Sequence, residues 1–211
     1  MKIRTLVLCD DTWHPAATVR RGLAAFAGDF SFEFLEDGAV WSAERMNDFP
    51  VTVLAKANIT SSKIERPWLT AKTAAAFPDY VRRGNGLLVV HAGSSRYEKL
   101  PVMNALIGGA FVRHPDSCSV TLEPAQPHLV TDGVKTFTIL DEHYFMAMSG
   151  APVDAFLLSR SEHGEQPAGW TRPEGAGRVC VLTPGHSVEV WLHPSFQKLL
   201  LNALRWVAKP N

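Results

Sequence analysis

The chain has 211 residues, of which 46% are apolar and 20% charged, and its 21 Lys and Arg balance 21 Asp and Glu to a formal net charge of zero. A globular chain of this length buries roughly 70% of the surface its unfolded form exposes, so it needs neither disulfides nor a structural metal to fold. The charge balance speaks against a nucleic-acid binder, which would carry a basic excess or stripe, and against a membrane-surface protein held by basic residues.

No run approaches 18 uninterrupted apolar residues, so no bilayer span is expected. Cys9, Cys118 and Cys180 are far apart and form no C-x-x-C. Reduced, buried thiols in a cytoplasmic protein are the expectation. None of the three is expected to be a nucleophile.

In chain order, residues 3–9 form a short apolar run closed by Asp10-Asp11, which reads as a buried strand and not as a targeting segment. Residues 16–27 carry Val19, Leu23 and Phe26 at helical spacing and end at Gly28, an amphipathic helix. Residues 30–35 and 51–55 read as strands. Residues 70–83 read as an Ala-rich helix with Pro78 inside it, so a kink or restart is expected there. After Gly84-Asn85-Gly86, residues 87–90 are four apolar residues in a row, the profile of a central parallel strand covered on both faces. Strands alternating with helices imply a doubly wound sheet.

The second half holds strand candidates at 119–122, 136–140, 155–159, 168–171 and 179–182, with a hairpin turn at 174–177. Residues 196–207 close the chain as a helix behind Pro194. The expected architecture is one α/β domain over residues 1–211, a doubly wound, mostly parallel sheet with an antiparallel C-terminal extension.

In an open α/β sheet, ligands bind beyond the carboxyl ends of the strands. His14, His91 and His186 each follow such an end, His114 lies in Arg113-His114-Pro115, and Asp141, Glu142 and Tyr144 follow the 136–140 strand. Residues distant in sequence can therefore converge on one pocket. Imidazoles with a carboxylate suit proton transfer beside a carbonyl, binding of hydroxyls, or a divalent metal such as zinc. Trp13, Tyr97, Tyr144 and Trp191 offer aromatic faces on which a ring could stack.

Several segments together resemble the ThuA-like (trehalose-utilisation) family, which has the class I glutamine amidotransferase-like, flavodoxin-like fold. The helix and glycine turn at 80–86 followed by Val90-His91-Ala92, the Arg113-His114-Pro115 step, Asp141-Glu142-His143-Tyr144, Gly169-Trp170-Thr171-Arg172, Pro184-Gly185-His186 and the closing helix are each similar to the family's pattern. The chain departs from it with Trp13 and Ala16 on either side of His14, where the family usually carries Arg and Ser, and with His143 in place of an aromatic residue.

The resemblance implies a carbohydrate-utilisation protein acting on a sugar or keto-sugar. His91, His186 and Glu142 are its acid–base candidates. His14, Tyr144, Asp141 and Trp13 are the substrate-binding candidates, and His114, Glu142, His91 and His186 are candidate metal ligands. No nucleotide cofactor, nucleic-acid partner or membrane is expected, and a homodimer is. Glutamine amidotransfer needs a cysteine on the turn after the central strand, and that turn begins with His91 and holds Ser94 and Ser95 but no cysteine. The alternatives are a non-catalytic sugar- or partner-binding module on the same fold and a residual hydrolase using Ser94.

Overall fold

The computed structural model describes residues 1–208. Its first half runs β1 (Ile3–Leu8), α1 (Ala16–Leu23), β2 (Phe30–Leu35), α2 (Ala43–Asn47), β3 (Val51–Leu54), α3 (Ala71–Ala74), α4 (Ala76–Arg82) and β4 (Gly86–Val90). It continues through α5 (Pro101–Ile107), β5 (Gly109–Arg113), β6 (Cys118–Pro124), β7 (Phe137–Asp141), β8 (Phe145–Met148), β9 (Asp154–Ser161), β10 (Gly164–Glu174), β11 (Gly177–Leu182), α6 (Val188–Leu192) and α7 (Pro194–Val207).

Nine strands form one sheet in the order β2-β1-β3-β4-β11-β10-β9-β6-β7, while β5 and β8 make a separate ribbon. Every pairing from β2 to β11 is parallel. Every pairing from β11 to β7 is antiparallel. Gly175, at φ 60, makes the tight turn that returns β10 into β11.

The apolar run at 87–90 explains the layering. Side chains alternate across a strand, so Leu88 and Val90 face one core with Val19 and Leu23 of α1 and Leu199 and Leu200 of α7. Leu87 and Val89 face the other core with Phe77 and Tyr80 of α4 and Met103 and Leu106 of α5. All of β4 is buried, and it lies between β3 and β11 as a parallel strand. The 70–83 helix does break: α3 stops at Ala74, four residues before Pro78. The proline ring clashes with the carbonyl at that spacing and offers no N–H to it.

Helix α5 and the β5–β8 ribbon have no counterpart in the sequence reading. The helix has only seven residues between Pro101 and a left-handed Gly108. The ribbon strands lack a clean in–out alternation. No helix among the described residues is long and apolar enough to cross a membrane.

Candidate functional site

Among the described residues, three that are not glycine have left-handed backbone: Asp10 (φ 74), His91 (φ 46) and Arg96 (φ 62). Such conformations cost about 1–3 kcal/mol each and persist where the surroundings over-determine them. Here they follow β1 and β4, at the carboxyl end of the parallel strands.

At His91 the surroundings are specific. The chain turns directly from β4 into a 3₁₀ turn over His91–Ser94. Ser94 Oγ donates to the His91 carbonyl (2.8 Å) and the Ser95 N–H to that of Ala92 (2.9 Å). Gly93 packs so closely on β3 that a Cβ there would overlap the Leu54 carbonyl oxygen. The result is a buried imidazole held at the carboxyl end of the central strand β4.

His14, His91 and His186 gather edge to face, with ring centroids 5.0 Å (14–91), 5.2 Å (14–186) and 5.7 Å (91–186) apart. Glu142 stands among them. Its carboxylate oxygens lie 3.3 Å from His91 Nε2 and 3.3 Å from His186 Nδ1. One donor atom from each of His14, His91, His186 and Glu142 falls within a span of 4.8 Å.

Each ring is oriented by its other nitrogen or by its loop. His91 Nδ1 donates to the Thr183 carbonyl at 2.8 Å, since a carbonyl can only accept. His14 Nδ1 lies 2.8 Å from Asp11 Oδ1. The loop carrying His186 is held by Asp141, whose two oxygens accept from the Gly185 N–H (2.8 Å) and the His186 N–H (3.1 Å). His14 Nε2, His91 Nε2 and His186 Nδ1 are left buried with no hydrogen-bond partner.

Protonation follows from burial and neighbours. Burial pushes His91 down to about 4, so it is neutral near pH 7, and burial also lowers His186. Burial acts to raise the Glu142 carboxyl, but the imidazoles of His91, His186 and His114 outweigh it and hold it below the usual range. Asp11 is likewise lowered: burial opposes ionisation, and the His14 and backbone donors overcome it. Burial raises Asp141 to about 7.

Glu142 thus lies 3.3 Å from the Nε2 of a neutral His91 and 3.3 Å from His186 Nδ1, with the partnerless Nε2 of His14 completing the group. Charge-assisted hydrogen bonds are shorter, about 2.7–2.9 Å. Three orphaned nitrogens and a carboxylate fit a divalent cation as their common partner. Imidazole with carboxylate is a donor set suited to zinc and its first-row neighbours.

His14, Glu142 and His186 line a cavity of about 720 Å³ together with Trp13, Arg96, Phe111, His114 and Tyr144, while His91 lies behind them, stacked under Tyr144 and off the cavity surface. Tyr144 is buried, stacks on His91 at 4.1 Å and touches Phe111 at 4.2 Å, so β5 and the loop before β8 form one wall. Trp13 is 47% exposed, with the Arg96 guanidinium 4.6 Å over its ring.

The structure brings His14, His91, Glu142 and His186 together and places Trp13, His114 and Tyr144 on the cavity around them. Three positions differ from the sequence expectation. His14, expected as a substrate contact at the rim, lies inside the cluster, whereas His114, expected among the ligands, is further out, 3.5 Å from Glu142 and 36% exposed. Asp141, expected on the substrate, is buried with both oxygens engaged by backbone N–H groups. His143 points away, bonded to Ser159 (2.9 Å) and Ser161 (2.7 Å) of β9.

Sequence reasoning missed Asp11 and Arg96. The D-x-x-H spacing of Asp11 and His14 is the signal that could have found the first, because aspartate bonds readily to groups two or three residues ahead. A left-handed arginine leaves no such mark.

An α/β sheet with a polar, histidine-rich cavity beyond its parallel strand ends defines the class of protein. The family model described as ThuA, trehalose utilisation, matches residues 9–207, and the chain belongs to that family. No curated protein matches in sequence. Among solved structures, a ThuA-like protein from Parabacteroides merdae superposes with a TM-score of 0.78 at 18% identity, covering 99% of this chain and 91% of that one. One from Bacteroides uniformis gives 0.73 at 20% identity, covering 97% and 91%. A β-galactosidase from Rahnella sp. R3 contains the same fold: its TM-score is 0.66 at 11% identity, covering 98% of this chain and 31% of that one.

Proposed function

We propose that this ThuA-family protein is an enzyme acting on a sugar or keto-sugar in the cavity above the histidine cluster, with a divalent ion such as zinc held by Glu142 and the imidazoles. The observation that carries the reading is the convergence of three partnerless imidazole nitrogens on one ionised carboxylate. The trehalose-utilisation description of the family supports the substrate class.

When bound, such an ion polarises a carbonyl or acidifies a water. The chain's own residues do the rest. His114 donates from Nδ1 to the Pro115 carbonyl (2.7 Å), which leaves its Nε2 lone pair at the cavity mouth to take a proton from substrate. Tyr144 and Phe111 shield the cluster from water on one side. Glutamine amidotransfer is not the reading, since His91 occupies the turn that would carry the thiol and Cys9 and Cys180 are buried. The three unpaired cysteines support a cytoplasmic setting.

The test is to strip the protein with a chelator, reload it with Zn²⁺, and follow glucose, trehalose and a 3-keto-glucoside in D₂O by proton NMR. The expected result is conversion or solvent exchange beside the carbonyl of at least one, lost in Glu142→Gln. Saturable binding with no chemistry overturns the enzymatic reading in favour of a binding module, and no sugar binding overturns the substrate class.

A further inference from the structure

Asp11 is 1% exposed, and both oxygens of its carboxylate are engaged. Its Oδ1 accepts from the backbone N–H groups of Trp13 (3.0 Å) and His14 (3.1 Å) and meets His14 Nδ1 at 2.8 Å. Its Oδ2 accepts from the Ala57 N–H at 2.8 Å, which ties the loop after β1 to the loop after β3. The backbone donors alone fix the carboxylate's plane and position. The His14 contact has a different consequence.

A carboxylate receiving this many donors is ionised and can only accept, so the proton between Asp11 and His14 belongs to Nδ1. In a neutral imidazole the other nitrogen then carries the lone pair. That nitrogen, His14 Nε2, is the one buried without a partner, on a ring that packs 5.0 Å from His91 and 5.2 Å from His186 in the same cluster as Glu142. His91 reaches the same state by another route, through the Thr183 carbonyl.

We propose that Asp11 is a positioning residue that fixes His14 in its Nδ1–H tautomer and so makes His14 Nε2 a ligand for a divalent ion shared with His91, Glu142 and His186; the assignment rests on the metal reading above. Asp11 bonds the Nδ1 edge of the ring and lies outside both the four-residue cluster and the cavity lining. It acts by holding the imidazole's rotation and by keeping the proton off Nε2. An outer carboxylate of this kind is worth about 10–100-fold in metal affinity.

The test has two parts. Long-range ¹⁵N–¹H spectra of the metal-free wild type report which nitrogen of each histidine is protonated, and they need no variant. The expected result is the Nδ1–H form for both His14 and His91. Zn²⁺ affinity is then measured by competition with a chromophoric chelator for wild type and Asp11→Asn. The expected loss in Asp11→Asn is about 10–100-fold, with His14 shifting toward a tautomer mixture while His91 stays as it was. The His91 signal is the control, because a general loosening of the site would move both.

His14 in the Nε2–H form in the wild type overturns the assignment, and so does Asp11→Asn binding Zn²⁺ as tightly as wild type. A wild type that takes up no Zn²⁺ overturns the metal reading itself, and the assignment falls with it. If Asp11→Asn does not fold, the wild-type spectrum still decides the tautomer.

Discussion

His91 Nδ1 and the Thr183 carbonyl oxygen are 2.8 Å apart, so a side chain at the end of β4 is bonded to the backbone just past the end of β11. The two strands are parallel neighbours, Leu182 lying opposite Val90. The bond spans the gap just beyond the last ladder pair, where the sheet opens into the cavity. It also fixes which nitrogen of His91 faces Glu142. His91→Ala removes the bond and a cluster nitrogen together, whereas His91→Asn returns a donor near the carbonyl without restoring the nitrogen. Both variants are expected to lose Zn²⁺ binding by chelator competition, and Asn is expected to melt higher than Ala. Equal melting temperatures would show that the Thr183 bond contributes nothing to stability.

Gly93 makes the turn behind His91 possible. A Cβ on it would overlap the Leu54 carbonyl oxygen, a backbone atom that cannot rotate away. Gly93→Ala therefore pushes the 3₁₀ turn off β3 and takes His91 with it. Overpacking of this kind costs about 1–3 kcal/mol, and in a chain of this size each kcal/mol lowers Tm by roughly 2–4 °C. Calorimetry reads the first effect and Zn²⁺ titration the second. An unchanged melt would refute the close approach.

How much of this was legible in the sequence depends on the kind of force involved. The run at 87–90 announces β4 because burial on both faces demands an unbroken apolar stretch. The break before Pro78 follows from covalent geometry. The β5–β8 ribbon was not legible, because its half-exposed strands serve a cavity wall and not a core. At the site, His91, His186 and Glu142 could be located from strand ends alone. The exchange of places between His14 and His114 could not, since it depends on how the loop after β1 folds back onto Asp11.

The thiols give a simple check. Burial raises Cys9 to about 12 and raises Cys180 further, while Cys118 is partly exposed at the start of β6. Iodoacetamide on the native protein at neutral pH is expected to label Cys118 alone, leaving Zn²⁺ binding intact. Cys9 and Cys180 should react only after denaturation. Fast native labelling of Cys9 would contradict its burial at the end of β1.

His128 provides a pH readout away from the cavity. Its Nδ1 accepts from the Val130 N–H at 3.0 Å, and its ring stacks on Phe156 at 4.7 Å. Accepting at Nδ1 requires the neutral ring, and burial lowers its pKa from the ordinary histidine value, with Asp154 only partly opposing. A histidine depressed in the folded state binds fewer protons there than when unfolded. Its contribution is therefore full above the unfolded pKa, about 6.5, and is lost as pH falls through the lower folded value. His128→Asn keeps an acceptor for Val130 but cannot titrate. Urea titrations below pH 6.5 are expected to show a shallower fall in stability for this variant than for wild type. Parallel slopes would mean His128 is not protonated on unfolding.

The two histidines whose places differ from the sequence reading separate the roles most sharply. His14 belongs to the four-residue cluster, and its Nε2 is buried with no hydrogen-bond partner. His114 stands 36% exposed, with its Nδ1 on the Pro115 carbonyl and its Nε2 3.5 Å from Glu142. Removing a ligand should cost more metal affinity than removing an outer partner, which is worth about 10–100-fold. His14→Ala is thus expected to weaken Zn²⁺ by more than that range. His114→Ala should weaken it by less than tenfold, roughly the lower edge of that range, while removing the proton acceptor at the mouth. If sugar chemistry is found, His114→Ala should lower kcat with the metal still bound, and His14→Ala should abolish the reaction through loss of the metal, restored in part by excess Zn²⁺. The reverse ordering of the two affinities would move the metal centre outward, toward the cavity mouth, and would return His14 to the rim.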